Sequence, residues 1–131
     1  AFALQEAIFS RLSADAPLLA VLGGPRVYDD TPQPVAFPYV TFGQSTLRDA
    51  DTDARPADEH MITLHVWSRK SGRLETHAVI DALRGALHDS DLPLSGHRLI
   101  NLRHEFSESR RDSDGETIHG IVRFRALTEP L

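Results

Sequence analysis

The chain has no cysteine, a single tryptophan and a single methionine, and Lys70 is its only lysine. Without cysteine there is no disulfide framework, no thiol nucleophile and no thiolate metal site, a composition that suits a reducing compartment. Long hydrophobic runs are absent too. The longest, Leu18 to Leu22, falls far short of the roughly 20 residues that span a bilayer, so no membrane segment is expected. The N-terminus shows no charged stretch followed by an apolar core, so no signal peptide is expected. Positive charge is outweighed: 14 Lys and Arg stand against 19 Asp and Glu, a net charge of -5 with histidine neutral. That balance argues against a protein held to nucleic acid by phosphate contacts, which needs a basic surface. Arginine is nevertheless concentrated in the last third, at Arg103, Arg110, Arg111, Arg123 and Arg125.

What is present is ordinary globular material. At 131 residues, 40% hydrophobic and 25% charged, the chain fits one domain over residues 1–131 with a sizeable core. Leu4, Ala7, Ile8 and Leu12 recur at helical spacing and predict a helix over Phe2 to Asp15. Asp15 then caps a second helix from Ala16 to Leu22, with Pro17 at its first position and Gly23-Gly24 ending it. No Gly-Lys-Ser/Thr follows those glycines, so they are not a phosphate loop. A short strand at Arg26–Tyr28 leads into a connection broken by Pro32, Pro34 and Pro38. Alternation predicts strands over Tyr39–Leu47 and Glu59–Arg69, with the acid-rich segment Arg48–Glu59 as the loop between them.

Val79, Ile80, Leu83, Ala86 and Leu87 form the apolar stripe of a helix predicted over Ser71–Ser90, with Ser71 as N-cap. Asp89 to Gly96 reads as a loop. Two long strands follow, His97–Ser109 and Thr117–Glu129, joined by the turn chemistry of Asp112-Ser113-Asp114-Gly115. Strict alternation puts Ile100, Leu102, His104 and Phe106 on one face of the first. Strands cluster and helices segregate, so the fold class is α+β: a mostly antiparallel sheet of about 4–5 strands with helices packed on one face. The other face would carry Thr63, His65, Trp67, Arg103, His119, Arg123 and Arg125. A mixed face of that kind often meets another chain.

No catalytic motif is intact. There is no Gly-x-Ser-x-Gly elbow, and Asp58 and Glu59 sit on opposite sides of a strand, where they cannot share acid–base work. Asp49, Asp51 and Asp53 open like a calcium loop, but the required Gly and Glu are replaced by Ala54 and His60, which leaves an acidic loop. The seven histidines show no compact ligand spacing; His65, His104 and His119 lie on different strands. Neither a catalytic nor a metal site is therefore expected, and no cofactor. Two readings of the arginines stay open. In one, Arg123 and Arg125 pair with cross-strand acids such as Glu105 on a solvated face. In the other, they meet acidic loops of a second subunit. The candidate interface residues are then Asp49, Asp51, Asp53, Trp67, Arg103, Arg110, Arg111, Asp112, Asp114, Arg123 and Arg125.

An ordered series of short segments resembles a known family. It runs through Leu4 to Ile8, Gly23-Gly24, Val27-Tyr28-Asp29 and Phe37-Pro38-Tyr39-Val40. It continues through Leu64-His65-Val66-Trp67-Ser68-Arg69, Gly72-Arg73 and Leu87-His88-Asp89. Leu94-Ser95-Gly96-His97-Arg98-Leu99, Leu102-Arg103, Asp114-Gly115, His119-Gly120 and Arg123-Phe124-Arg125-Ala126-Leu127-Thr128-Glu129 complete it. Together these resemble the tail-completion, or tail terminator, proteins of long-tailed phages, especially the version in gene transfer agents. Arg48–Ala57 matches no part of that pattern. The resemblance implies a non-catalytic virion protein, assembled in the bacterial cytoplasm, that forms a homo-hexameric ring in the neck of the particle. Such a ring caps the tail tube protein, docks to a head-side stopper or connector, and lets DNA pass through its lumen without sequence-specific binding. The alternative is another neck component, such as a stopper, or a tail tube subunit of similar fold.

Overall fold

A computed structural model describes residues 2–70 and 72–131. In α1 (Phe2–Ser13) the spacing of Leu4, Ile8 and Leu12 buries one stripe. The next helix, α2 (Ala16–Leu22), starts where the Asp15 carboxylate accepts a hydrogen bond from the Leu18 amide at 3.1 Å. It stops at Gly23, whose φ of 80° lets its amide turn back to the Leu19 carbonyl. The strands are β1 (Val27–Tyr28), β2 (Tyr39–Asp49), β3 (Asp58–Ser68), β4 (Pro93–Leu94), β5 (His97–Arg111) and β6 (Ile118–Pro130), with α3 (Leu74–Leu87) between β3 and β4. They form one six-stranded sheet in the order β1-β2-β3-β6-β5-β4, antiparallel except for the β1–β2 pair.

The α+β class and the one-sided helical layer are as expected, with one strand more than expected because Pro93–Leu94 pairs with His97–Arg98. Other boundaries move. The hairpin β2–β3 stays paired out to Asp49 and Asp58, so Arg48 and Glu59 are strand residues and the acidic loop is shorter. The third helix begins at Leu74 with Arg73 at its cap position making no side-chain cap bond, and it ends at Leu87. Ser71, expected to cap it, lies outside the described residues.

The centre of the sheet is the β3–β6 pair, in unbroken register from Asp58 opposite Thr128 to Ser68 opposite Ile118. One face carries Ile62, Leu64 and Val66 from β3 and Val122, Phe124 and Ala126 from β6, all buried against the stripes of the three helices. At Gly120 the sheet lies directly under α3. A Cβ there would lie 3.0 Å from Thr76 Cγ2, 3.2 Å from Val66 Cβ and 3.3 Å from Ile80 Cδ1. Thr76 is buried, and its hydroxyl has no hydrogen-bond partner among the described residues, a cost accepted at this tight contact.

Strict alternation fails on β5. Register shifts between Leu99 and Asn101 and between His104 and Phe106 each insert a residue. Leu99, Leu102 and His104 therefore share the core side, while Ile100 is exposed and Phe106 turns to the outer face opposite Arg123. The expected grouping of Ile100, Leu102, His104 and Phe106 is thus corrected by two bulges.

The Gly120 contact yields a prediction. Gly120→Val should lower stability by about 2 kcal/mol through overpacking against three buried neighbours. Gly85, exposed in α3 with open space around it, should instead gain about 0.5–1 kcal/mol as Ala. Urea unfolding followed by circular dichroism measures both.

Candidate functional site

No helix covers the outer face of the sheet, and its side chains fall into rows set by the register. The first row crosses Tyr39, Trp67, His119 and Arg110 on β2, β3, β6 and β5. Its rings pack in sequence: Phe37 edge-on to Tyr39 at 5.0 Å, Tyr39 on Trp67 at 6.3 Å, and Trp67 on His119 at 4.0 Å with the planes 9° apart. The guanidinium of Arg69 sits 4.4 Å over the Phe37 ring. Trp67 is fixed further by its indole N–H, which donates to Thr41 Oγ1 at 3.1 Å.

His65, one pleat along, shares a hydrogen bond of 2.7 Å between its Nδ1 and Nε2 of His119. The His65 ring occupies the space a side chain at position 43 would need, since a Cβ on Gly43 would collide with its Nε2 and Cδ2. That bond requires one N–H and one lone pair, so the pair cannot hold it with both rings charged. Burial pushes both histidines below the ordinary value, and Arg110 acts the same way on each. On His119 the charge of His65 adds to the downward shift, and Asp112 and Glu108 oppose it. His104, the third histidine considered, is held elsewhere by Ser107 at 2.6 Å. Among the described residues no three His, Asp or Glu side chains converge where a metal ion would sit.

Most arginines of the candidate set have partners within the chain. Arg125 pairs with Glu59 at 3.0 Å, not with Glu105, and Arg103 lies 3.5 Å from Asp89. Arg111 donates to the Gly115 carbonyl at 3.2 Å. Arg123 meets no carboxylate among the described residues; its Nε reaches Thr63 Oγ1 at 3.5 Å and its guanidinium lies 5.5 Å from the Phe106 ring centre. Arg110 stands at the end of the aromatic row beside His119.

Three of the five candidate acids are engaged as well. Asp49 and Asp51 accept backbone N–H bonds from Asp51 and Ala57 and close the β2–β3 loop. Asp114 accepts from the Glu116 and Thr117 amides and the Thr117 hydroxyl, which draws its pKa down to about 2. Asp53 and Asp112 lie in the two loops with no such bonds to their carboxylates. The eleven candidates thus fall in three places: Trp67, Arg103, Arg110, Arg123 and Arg125 on one sheet face, Asp49, Asp51 and Asp53 at one hairpin end, and Arg111, Asp112 and Asp114 at the other. The histidine pair escaped sequence reasoning because its members are 54 positions apart. Alternation assigned both to the outer face, but only the β3–β6 register makes them neighbours.

A sheet covered on one side only, with a continuous aromatic and arginine-bearing face on the other, is the form of an assembly subunit rather than of a pocketed catalyst. Comparison with known proteins agrees. Residues 6–129 match the family model of the tail completion protein gp17. The tail completion protein gp17 of Bacillus phage SPP1 is 24% identical over 123 residues, covering 94% of this chain and 90% of that protein. A chain from the virion of a native gene transfer agent particle has the same fold at a TM-score of 0.90 and 32% identity, covering 98% of this chain and 96% of that one. The chain belongs to the tail completion protein gp17 family. It is a structural virion protein of a phage-type tail, not an enzyme.

The histidine pair gives this face a pH dependence. The folded-state pKa of each ring is below the unfolded value of about 6.5, so the folded state binds fewer protons in that window. The stability this contributes is complete above pH 6.5 and is lost as pH falls through the lowered values. His60 and His104, also lowered by burial, act in the same direction. Urea midpoints should drop between pH 7.5 and pH 5, and a His65→Gln/His119→Gln variant should show a shallower drop.

Proposed function

We propose that this protein is the tail terminator of its particle: a ring of six copies that ends polymerisation of the tail tube and joins the tail to the head-side connector. The observation that carries this reading is the full-length likeness to a chain of a gene transfer agent virion, together with membership of the tail completion family. The geometry supports it in two ways. A ring of one kind of subunit needs two different complementary surfaces, and the chain has an arginine-bearing sheet face and separate acidic hairpin ends. Its net charge of -5 suits a lumen through which DNA slides without being held. Tube protein on one side and connector on the other are the partners this position requires. The interface candidates above are the residues assigned to contacts between subunits or with those partners.

Electron microscopy of particles made without the protein tests the reading. Tails of uncontrolled length, unattached to heads, are the expected result; tails of normal length joined to heads would refute it, and tails absent altogether would favour a tube subunit. A charge reversal tests the interface. Arg123→Glu removes a guanidinium with no carboxylate partner in its own chain, so it should weaken ring formation without the loss of an internal ion pair that Arg125→Glu entails. Light scattering of the assembled species measures this, and unchanged assembly in both variants would remove these arginines from the interface.

A further inference from the structure

Both edges of the sheet are left largely bare. On one side, β1 pairs only with Val40 and Thr41, so β2 from Gly43 to Asp49 has β3 as its sole strand neighbour among the described residues, with a bulge at Gly43–Gln44 before the ladder resumes at Ser45. On the other, β4 pairs only with His97 and Arg98, and the loop after α3 takes the Leu102 carbonyl, through the Asp89 amide, and the His104 amide, through His88 Nδ1. From Glu105 to Arg111, β5 has β6 as its sole strand neighbour among the described residues, and His77 of α3 reaches only the Ser109 hydroxyl, at 3.4 Å. Bare edges are templates for pairing, and soluble proteins usually blunt them with proline or lysine. Neither free stretch contains either residue. Each instead shows an exposed apolar side chain, Leu47 at 53% and Phe106 at 39%.

The two stretches are equal in length and differ in sequence. Because β2–β3, β3–β6 and β6–β5 are all antiparallel, β2 and β5 run in opposite senses. A second copy placed alongside in the same orientation would therefore meet β5 with its β2 in an antiparallel pair, the arrangement used across the rest of the sheet. The contact is head-to-tail, the kind that closes into a ring.

Charge points to the alignment. Phe106, Glu108 and Arg110 face outward on β5, and Thr46 and Arg48 face outward on β2. Registers that overlap the free stretches and keep outer residues together set Arg48 of one copy opposite Glu108 of the next, or diagonal to it, within reach of both side chains. Arg48 and Glu108 are exposed, and neither has an ion-pair or side-chain hydrogen-bond partner among the described residues. We infer that the occupant of each edge is a second copy of this chain: the free edge of β2, Gly43–Asp49, adds to the free edge of β5, Glu105–Arg111, of its neighbour, with Arg48 and Glu108 as the charge pair between copies. This rests on the ring reading and gives it a specific seam.

The chain has no native cysteine, so introduced thiols report cleanly. Arg48→Cys/Glu108→Cys protein is incorporated into particles and treated with a short bismaleimide. A ladder of multimers on a denaturing gel, absent from either single variant, is the expected result; monomer alone from particles that contain the protein overturns the seam. Charge exchange is the second arm. Arg48→Glu should reduce incorporation about tenfold, and Arg48→Glu/Glu108→Arg should restore it; a single variant that incorporates normally, or an exchange that restores nothing, overturns the seam. Micrographs of the same particles keep the two ideas apart: a six-fold ring without cross-links removes the seam and leaves the ring, whereas no ring removes both.

Discussion

The approach of α3 to the sheet at Gly120 is the constraint on which the rest of this structure depends. Only at a residue without a side chain can Thr76, Val66 and Ile80 all stand this close to the β6 backbone, which seats the helix on the β3–β6 pair. With α3 seated there, α1 and α2 fill the remaining space on the same side, and Leu4, Ile8, Leu12, Leu18 and Leu22 complete one core. All of the helical mass lies on one face. Among the described residues no helix lies on the other face, and the two long edges are covered only in part, by β1 on one side and by β4 and the loop after α3 on the other. The buried Thr76 hydroxyl, without a hydrogen-bond partner among the described residues, is a polar cost at this contact.

That bare face is not left as loose charge. Glu59 holds Arg125, Asp89 holds Arg103, Glu129 holds Arg98, and Thr63 with Phe106 holds Arg123. Exposed pairs of this kind add little to stability individually. Their effect is to fix long side chains in place, so less rotamer freedom is lost when another surface meets them. The aromatic row from Phe37 to His119 does the same with rigid rings, and the histidine bond ties β3 to β6 through side chains as well as backbone. A surface already ordered in the isolated subunit is suited to forming the same contact in every copy of an assembly.

How much of this is readable in the sequence depends on the range of the interaction. The local signals act within a few residues and survive intact: Asp15 capping α2, Gly23 ending it, and the alternation of Ile62, Leu64 and Val66 against Thr63, His65 and Trp67. The α+β class follows from their order. Phe106 is lost to sequence reading because a bulge is a property of two paired strands, and one inserted residue reverses every side chain beyond it. The acids of Arg48–Glu59 look like a free charged loop until the β2–β3 pairing draws Asp49 and Asp51 into bonds with backbone amides. The partners of Arg125 and His119 depend on register in the same way, which is why Glu105 was the expected acid and Glu59 is the one found.

The family relationship narrows what the uncovered parts can mean. In an isolated soluble domain, two unprotected edges and a one-sided sheet are liabilities that tend toward aggregation. In a tail protein the same features have somewhere to go, provided the contact they make is bounded. Two edges of unlike sequence make a heterologous contact, which yields a ring if the rotation per copy closes and an open filament if it does not. The ring proposed above requires the first kind. Cysteine is absent, so no disulfide would hold its closure, and the rotation per copy would come from the rigidity of the subunit itself. That rigidity rests on the core side of the central pair, where α3 packs directly against Val66 and Gly120.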